Sequence, residues 1–362
     1  MSRAIKITKR VIRRKWREMK FADHFRTFFD ADVSLNRHKM KCLKDSYKSS
    51  IWKLEIRVNR KRMPIVLKIS KPLRRDRPES TVEKNIYRKA KNVLQPFMPQ
   101  IYLTKRNVYG HGLWVFMEYI ESVSGRVQYN PDHFASIIPT LAKLHASTMN
   151  EKFTSRKSIF SDWLPRYDSQ KMNKERIHMN KQTIYYLEKA MKVPALRTML
   201  QPHYELLSAM LKKGPEFFPE VTNAGMSIVH GDLHTANMAC HNVKRRVWDL
   251  KLIDWEGAKY APCWFDLVNL VGIFLGYRRE WKDEEEEITR RSVQLYADEM
   301  RKHGVVFDMD PMKLYQMAYL KRILERSLYL QLNWAVTGKK EPKLLPVLLE
   351  KVKVWGKQLG LY

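Results

Sequence analysis

Three polar side chains have the types and the spacing that suit chemistry on a phosphate group. Asp232 lies in the segment HGDLH, Asn237 follows five residues later, and Asp254, in LIDWEG, follows seventeen residues after that. A carboxylate and an amide oxygen side by side suit a hard divalent cation that keeps several waters. A further carboxylate can accept the proton of an incoming hydroxyl group. The spacing therefore predicts phosphoryl transfer, with Asp232 as base and Asn237 and Asp254 as metal ligands.

The elements around these residues must bring them together. Ile228–Val229 is typical of a short strand that ends in the segment containing Asp232. Residues 238–241 and 247–253 are typical of two further strands, joined by the polar turn NVKRR. Because the second strand returns along the first, we expect Asn237 and Asp254 to lie at neighbouring positions.

The preceding part of the chain predicts a small sheet. Residues 51–58 alternate between apolar and polar side chains, and so do residues 65–69, in which Lys68 points away from the apolar set. Residues 77–94 have a Ser/Thr start, early glutamates and a basic end, which indicates a helix. Residues 112–120 are typical of a buried strand.

From about residue 125 onward the apolar spacing is helical. A small β-rich part followed by a large α-rich part predicts an α+β fold with two lobes. We expect a basic helical extension over residues 1–35, with an amphipathic helix at 3–20, an N-lobe over residues 36–120 and a C-lobe over residues 121–362.

The combination of motifs resembles a known family. His-Gly-Asp-Leu-His, the asparagine five residues after the aspartate, a hairpin, Ile-Asp-Trp-Glu and then WFDLVNL follow one another in order. This pattern is similar to the aminoglycoside phosphotransferase and choline kinase superfamily, which has a protein-kinase-like fold, and the matches span roughly residues 40–275. The resemblance implies a kinase that uses ATP and Mg²⁺ to phosphorylate a hydroxyl group of an amino sugar, an aminoglycoside or a choline-like acceptor.

The resemblance also implies roles for residues that grip the nucleotide. Lys68, in IVLKIS, matches the strand lysine that holds the α- and β-phosphates. Glu83 matches the helix glutamate that pairs with this lysine, and Glu79 is the competing candidate. WVFMEYIE resembles the strand and hinge between the lobes, so the backbone groups of Glu118 and Ile120 are expected to meet the adenine.

Three histidine and aspartate positions resemble family residues that lie near the γ-phosphate or support the structure. His234 takes the place of a loop lysine near the γ-phosphate, Asp266 resembles an aspartate that braces the catalytic loop, and His145 matches a structural position. The phosphate-covering loop should lie in KDSYKSSIW, which has no glycine. The hydroxyl groups of Ser49 and Ser50, together with Ser46, are expected to donate to phosphate instead.

Charge is unevenly distributed along the chain. The net charge of the whole sequence is +30, and residues 1–110 contribute +22 of it. A basic N-terminal segment can bind an anionic surface or polymer, or serve only for solubility. No transmembrane segment, signal peptide or specific nucleic-acid motif is expected, and three scattered cysteines do not indicate a disulfide framework. We therefore expect a cytoplasmic protein.

Two other functions compete with a small-molecule kinase. A protein kinase is disfavoured by His-Gly-Asp, by Asp-Trp-Glu and by the lack of an Ala-Pro-Glu motif. A non-catalytic binding or coat-type protein with this fold is favoured only by the glycine-free loop. The acceptor stays open: the acidic run at 281–291 and aromatic residues of the C-lobe suit a cationic acceptor, but equally suit a solvated helix end and a core.

Overall fold

The computed structural model has the predicted α+β architecture of two lobes. It describes residues 6–71, 78–106, 112–245 and 247–361, and within helix 78–89 the side chains only from residue 81 onward. Parts of three predicted elements lie outside the described residues: residues 3–5 of the N-terminal helix, Arg246 of the hairpin turn and the side chain of Glu79.

The N-lobe is built on one antiparallel sheet. Its strands lie in the order β1-β2-β3-β5-β4. Their bounds are β1 Val33–Asp45, β2 Ser49–Val58, β3 Lys61–Ser70, β4 Ile101–Arg106 and β5 Leu113–Glu118. The sequence predicted β2, β3 and β5, whereas β1 was not predicted.

Two short helices cover one face of this sheet. They are α1 Lys9–Glu18, capped by the Thr8 hydroxyl, and α2 Phe21–Phe29. The chain turns between them at Lys20, which has a left-handed backbone, so the predicted helix 3–20 is shorter than expected. Trp16 stacks on Phe25 with ring centroids 5.4 Å apart, and both rings pack on Phe116 of β5. The described part of the basic extension is therefore an integral layer of the N-lobe.

The opposite face of the sheet looks toward the cleft between the lobes. Ile65, Leu67 and Ile69 of β3 are buried beneath α1 and α2. Val66 and Lys68, on the other face, line the cleft. On this side lie α3 Pro78–Lys89 and the single turn α4 Lys91–Leu94. This alternation is the one that the sequence predicted from the period of a strand.

The C-lobe is mainly helical. Its first helices are α5 Phe134–Ser147, α6 Glu151–Thr154, α7 Lys157–Phe160, α8 Gln170–Met191, α9 Pro194–Leu200, α10 Tyr204–Lys213 and α11 Pro219–Asn223. Those after the catalytic segment are α12 Trp264–Leu267, α13 Phe274–Tyr277, α14 Glu285–Lys302, α15 Pro311–Arg322, α16 Leu328–Thr337 and α17 Leu345–Gln358. Wider π-helical turns at 268–273 and 323–327 join α12 to α13 and α15 to α16.

Two small antiparallel pairs carry the catalytic segment. β6 Met226–Val229 pairs with β9 Lys259–Pro262, and β7 Met238–Cys240 pairs with β8 Leu250–Leu252. The second pair is the predicted hairpin, with a shorter returning strand than expected. No helix in the described part of the chain is both long and apolar enough to cross a membrane.

Candidate active site

A buried carboxylate holds the backbone of the catalytic loop. Asp266 accepts hydrogen bonds from the backbone N–H of His230 at 2.6 Å and of Gly231 at 2.8 Å. His145 lies 3.4 Å from the same carboxylate through Nε2, and its Nδ1 is 2.7 Å from the Tyr296 hydroxyl. Burial acts to raise the pKa of Asp266, but His145 and the other hydrogen bonds outweigh it and hold the pKa below its usual value. The anion therefore fixes the loop that presents Asp232.

Two glycines let the catalytic loop, residues 230–237, approach the metal loop, residues 254–257. Gly231 has a φ of +78°, and a Cβ atom there would lie 2.2 Å from the backbone oxygen of Gly257. No side chain fits this approach. The contact explains why glycine stands between His230 and Asp232, where protein kinases have arginine.

Asp232 is the accessible carboxylate of the loop. Its side chain is 65% exposed, and Oδ2 lies 3.5 Å from His234 Nε2. The Asn237 amide donates to the Asp232 backbone oxygen at 2.9 Å and to Oδ2 at 3.3 Å. The hydrogen bond to His234 is the main reason that the pKa of Asp232 is lowered and that the pKa of His234 is raised. Asp232 is therefore ionised at neutral pH, as a proton acceptor must be.

The hairpin brings the second carboxylate to the same place. The Ile253 backbone N–H donates to the backbone oxygen of Asn237 at 2.9 Å. Asp254 follows with a left-handed backbone, φ 65°. Burial opposes ionisation of Asp254, but the charge of Lys68, whose Nζ lies 3.0 Å from Oδ1, outweighs it and lowers the pKa. Asn237 and Asp254 line one cavity with Asp232.

Lys68 joins the two lobes through a pair of acids. Its Nζ lies 2.5 Å from Glu83 Oε1 on α3, as well as 3.0 Å from Asp254. The Tyr87 hydroxyl donates to the same Glu83 oxygen at 2.9 Å. Burial acts to lower the pKa of Lys68, but the two carboxylates outweigh it and raise the pKa, so the ammonium stays charged. Of the two candidates on this helix, Glu83 makes the ion pair.

The cleft between the lobes holds a cavity of about 680 Å³. Its apolar wall comes from both lobes: Leu43, Ile51, Val66, Met117, Ile120, Ala239 and Ile253. Such a slot suits a flat heterocycle. Glu118 and Ile120, the residues expected to meet the adenine, both line it. His241 Nε2 lies 3.1 Å from the Glu118 carboxylate. The Glu118 backbone N–H donates to the backbone oxygen of Gln100 at 2.9 Å.

The glycine-free turn between β1 and β2 is organised by Ser46. The Ser46 hydroxyl accepts hydrogen bonds from the backbone N–H groups of Lys48 and Ser49. The backbone N–H of Ser46 donates to the backbone oxygen of Ser49 at 2.8 Å. Ser50 is fully buried, and its hydroxyl accepts from Trp52 Nε1 at 2.8 Å. It also forms a hydrogen bond with the Asp45 carboxylate. Neither Ser49 nor Ser50 lines the cleft cavity, so the structure does not bring these hydroxyl groups to it.

Lysines rather than serines face the metal loop from this turn. Lys48 Nζ lies 3.0 Å from Glu256 Oε2, which links the turn to the segment after Asp254, and Lys44 lines the cavity. The sequence analysis missed Lys48, Lys44 and Glu256. The sequence did contain an indication of their role, because lysines occupy a segment in which the N–H groups of glycines usually bind phosphate.

The oxygen ligands fit a hard divalent cation. Asp254 Oδ1 is used by Lys68, whereas Asn237 donates through its nitrogen and keeps its oxygen for a ligand role. In the described residues, one carboxylate oxygen from each of Glu83, Asp254 and Glu256 lies within 4.8 Å of the others. Glu83 is buried against Lys68 and Glu256 is paired with Lys48, whereas the Asp254 side chain is 42% exposed. Asn237 and Asp254 are therefore the residues that could hold Mg²⁺.

Comparisons with known proteins identify the fold and the family of the chain. Two solved structures share the fold at low identity. An ethanolamine kinase from Plasmodium vivax has a TM-score of 0.50 at 12% identity, over 97% of this chain and 94% of that one. The GDP complex of aminoglycoside 2'-phosphotransferase-IIIa has a TM-score of 0.50 at 13% identity, over 94% of this chain and 99% of that one. No curated protein sequence matched the chain. The model of the phosphotransferase enzyme family matches residues 53–313, and the chain therefore belongs to that family.

Proposed function

We propose that this protein is a kinase that transfers the γ-phosphoryl group of ATP, with Mg²⁺, to a hydroxyl group of a small molecule. One observation carries the proposal. Lys68 connects Glu83 of the N-lobe to Asp254 of the C-lobe, on the same cavity that Asp232 and Asn237 line. This lysine, the two carboxylates that pair with it and the aspartate and asparagine beside them are the groups that phosphoryl transfer needs for positioning and charge neutralisation.

The residues divide the reaction between them. The acceptor oxygen forms a bond to the γ-phosphorus, the bond from that phosphorus to the bridging oxygen breaks, and ADP leaves with the electron pair. Asp232 takes the hydroxyl proton, and Lys68 holds the α- and β-phosphates. A Mg²⁺ ion held by Asn237 and Asp254 would neutralise charge on the phosphate oxygens. His234 orients Asp232 through the hydrogen bond between them.

The phosphate grip is assigned to Lys44, near the end of β1, and to Lys48, in the turn between β1 and β2. Lys48 spans from the turn to Glu256, and Lys44 lines the cavity. We place both ammonium groups against the nucleotide phosphates, where charge replaces the backbone N–H groups of a glycine-rich loop. This role takes over the one expected of Ser49 and Ser50, and it counters the main argument for a non-catalytic protein.

Melting curves with and without metal test the proposal. Mass action gives about 2.7 kcal/mol of stabilisation at a nucleotide concentration 100 times the dissociation constant. Mg²⁺ with ATP should therefore raise the melting temperature clearly more than ATP with a chelator. Asp254→Ala should remove the metal-dependent part, while Asp249→Ala, which removes an exposed acid just before β8, should keep it. A shift in melting temperature that does not depend on Mg²⁺, or no shift with either ATP or GTP, would favour the non-catalytic alternative.

A cytoplasmic location and an anionic partner belong to the same proposal. The three cysteines are free, which supports a reducing compartment. On α1 the apolar face packs on the N-lobe, and Lys9, Arg10 and Arg17 stay exposed. Replacing these three with Gln should reduce sedimentation with vesicles of anionic phospholipid but not with neutral ones. Unchanged sedimentation would leave the basic face a role in solubility only.

A further inference from the structure

Three cations meet beside the catalytic loop on the C-lobe side. Lys259 begins β9, and its backbone pairs with Val229, the residue before His230. Arg322 ends α15, and Arg326 lies in the π-helical turn that follows. The two guanidinium groups are close enough to Lys259 that, after burial itself, they are the main causes lowering its pKa to about 7.

The cluster is tied to the catalytic loop by hydrogen bonds. Arg322 Nη2 donates to Asn269 Oδ1 at 3.3 Å, and Asn269 Nδ2 donates to the oxygen of Gly231 at 3.3 Å. Gly231 is the residue before Asp232. Arg322 is therefore connected through the single side chain of Asn269 to the loop that presents the proposed base.

Two acids nearby, Asp266 and Glu325, favour the charged forms of Lys259 and Arg322, but burial and the neighbouring guanidinium groups outweigh them and the pKa of each cation is lowered. Asp266 is engaged by the N–H groups of His230 and Gly231 and by His145. Glu325 accepts a hydrogen bond from Tyr167 and pairs with Lys321 at 3.3 Å. Within the described ranges, neither Lys259 nor Arg326 has a carboxylate within 4 Å. Arg326 is exposed, and Lys259 is half-buried with its lowered pKa. An anionic ligand beside them would favour the charged form of Lys259.

The location indicates which ligand this is. The nucleotide cavity lies on one side of Asp232, between the lobes. An acceptor hydroxyl must reach Asp232 from the C-lobe side, where β9, the turn at 268–273 and the end of α15 lie. β9 carries Lys259, the end of α15 carries Arg322, and the turn at 323–327 that follows α15 carries Arg326.

We propose that the acceptor carries an anionic group, a carboxylate or a phosphate, which Lys259, Arg322 and Arg326 bind beside the reacting hydroxyl. The inference rests on the proposed kinase function and sets the acceptor apart from the cationic molecules that the sequence favoured. The acidic run supports this contrast, since Glu285 pairs with Lys351 at 3.0 Å and Glu287 with Arg290. Both acids are already neutralised within the lobe.

A set of hexoses on one scaffold tests the acceptor class. Glucose, glucosamine, glucuronate and glucose 6-phosphate are neutral, cationic, carboxylate-bearing and phosphate-bearing, respectively. Each is added to protein saturated with Mg²⁺ and a non-hydrolysable ATP analogue, so the nucleotide site is occupied, and the melting temperature is recorded. Inorganic phosphate and acetate, without the sugar, serve as further probes. ADP release with Mg·ATP is measured in parallel.

We expect stabilisation by the anionic probes only, with the carboxylate and phosphate arms showing which source the site prefers. Arg326→Gln, at an exposed position, and Lys259→Met should each weaken binding of the preferred anion about tenfold or more. Arg57→Gln removes an exposed cation of β2 and should change nothing. Stabilisation by glucosamine instead, no response to any anion, or an undiminished response in both variants would overturn the inference. A missing response to the nucleotide analogue would count against the kinase function instead, because the anion response can be measured on protein without nucleotide.

Discussion

The contact between Gly231 and Gly257 gives the sharpest test of the catalytic geometry. In Gly231→Ala the new Cβ would lie 2.2 Å from the Gly257 oxygen and 2.9 Å from its carbonyl carbon. Both partners are backbone atoms, so one loop must move by about 1 Å to reach ordinary contact. A misplacement of this size costs about 100-fold in turnover. The left-handed φ adds about 1–2 kcal/mol of strain, and the overlap adds about 1–3 kcal/mol more.

Gly304→Ala separates these two costs. Gly304 has nearly the same φ, +80°, but nothing lies within 4 Å of its added Cβ. It should therefore lose only the strain of about 1–2 kcal/mol in urea unfolding and keep full ADP release. Gly231→Ala should lose more stability than Gly304→Ala and most of its turnover. Equal turnover in the two variants would refute the claim that this close approach positions Asp232.

Three further outcomes follow from the same site. Asp232→Asn should lower turnover by about 10²–10⁴ while Mg·ATP binding, measured by calorimetry, stays within a few-fold, since Asp232 acts on the acceptor; wild-type turnover would remove the base assignment. Lys48→Met should raise KM for ATP about tenfold with a smaller change in kcat, and an unchanged KM would exclude Lys48 from the phosphates. Asp266→Asn should cost about 1–3 kcal/mol in unfolding at pH 7. Folding lowers the pKa of Asp266, so its ionised carboxylate stabilises the folded protein fully above the pKa of the unfolded chain, near 4. This stabilisation is lost as the pH falls through the lower pKa of the folded protein. The unfolding free energies of wild type and Asp266→Asn should therefore converge in acid. A pH-independent difference would contradict that account.

The parts of the site that sequence could predict depend on local periodicity. Lys68 was placed on the cleft face because side chains alternate along a strand, and the structure has it there. Asn237 and Asp254 were brought together by a hairpin, which requires only two short strands and a turn. Glu83 could be separated from Glu79 only by the ion pair itself, because both lie near the start of one helix.

The failures involve contacts that no local pattern encodes. Ser50 looked available because it follows a polar turn, yet its strand position buries it against Trp52. Lys48 and Glu256 are separated by about 200 residues and meet only when the lobes close on each other. β1 was missed because its charged outer face hides the alternation, and irregular register shifts interrupt its pairing with β2.

Charge shows the same limit most clearly. The acidic run before and within α14 suited a cationic acceptor and a solvated helix end equally well, and Glu285 and Glu287 find basic partners on α17 and on α14 itself. Lys259, Arg322 and Arg326 are spread over more than sixty residues and form no run, yet the fold collects them next to the catalytic loop. A charge acts on a ligand only through what remains unpaired after folding. In this chain the basic groups that the fold collects beside the base favour an anionic acceptor, which the acidic run of the sequence did not indicate.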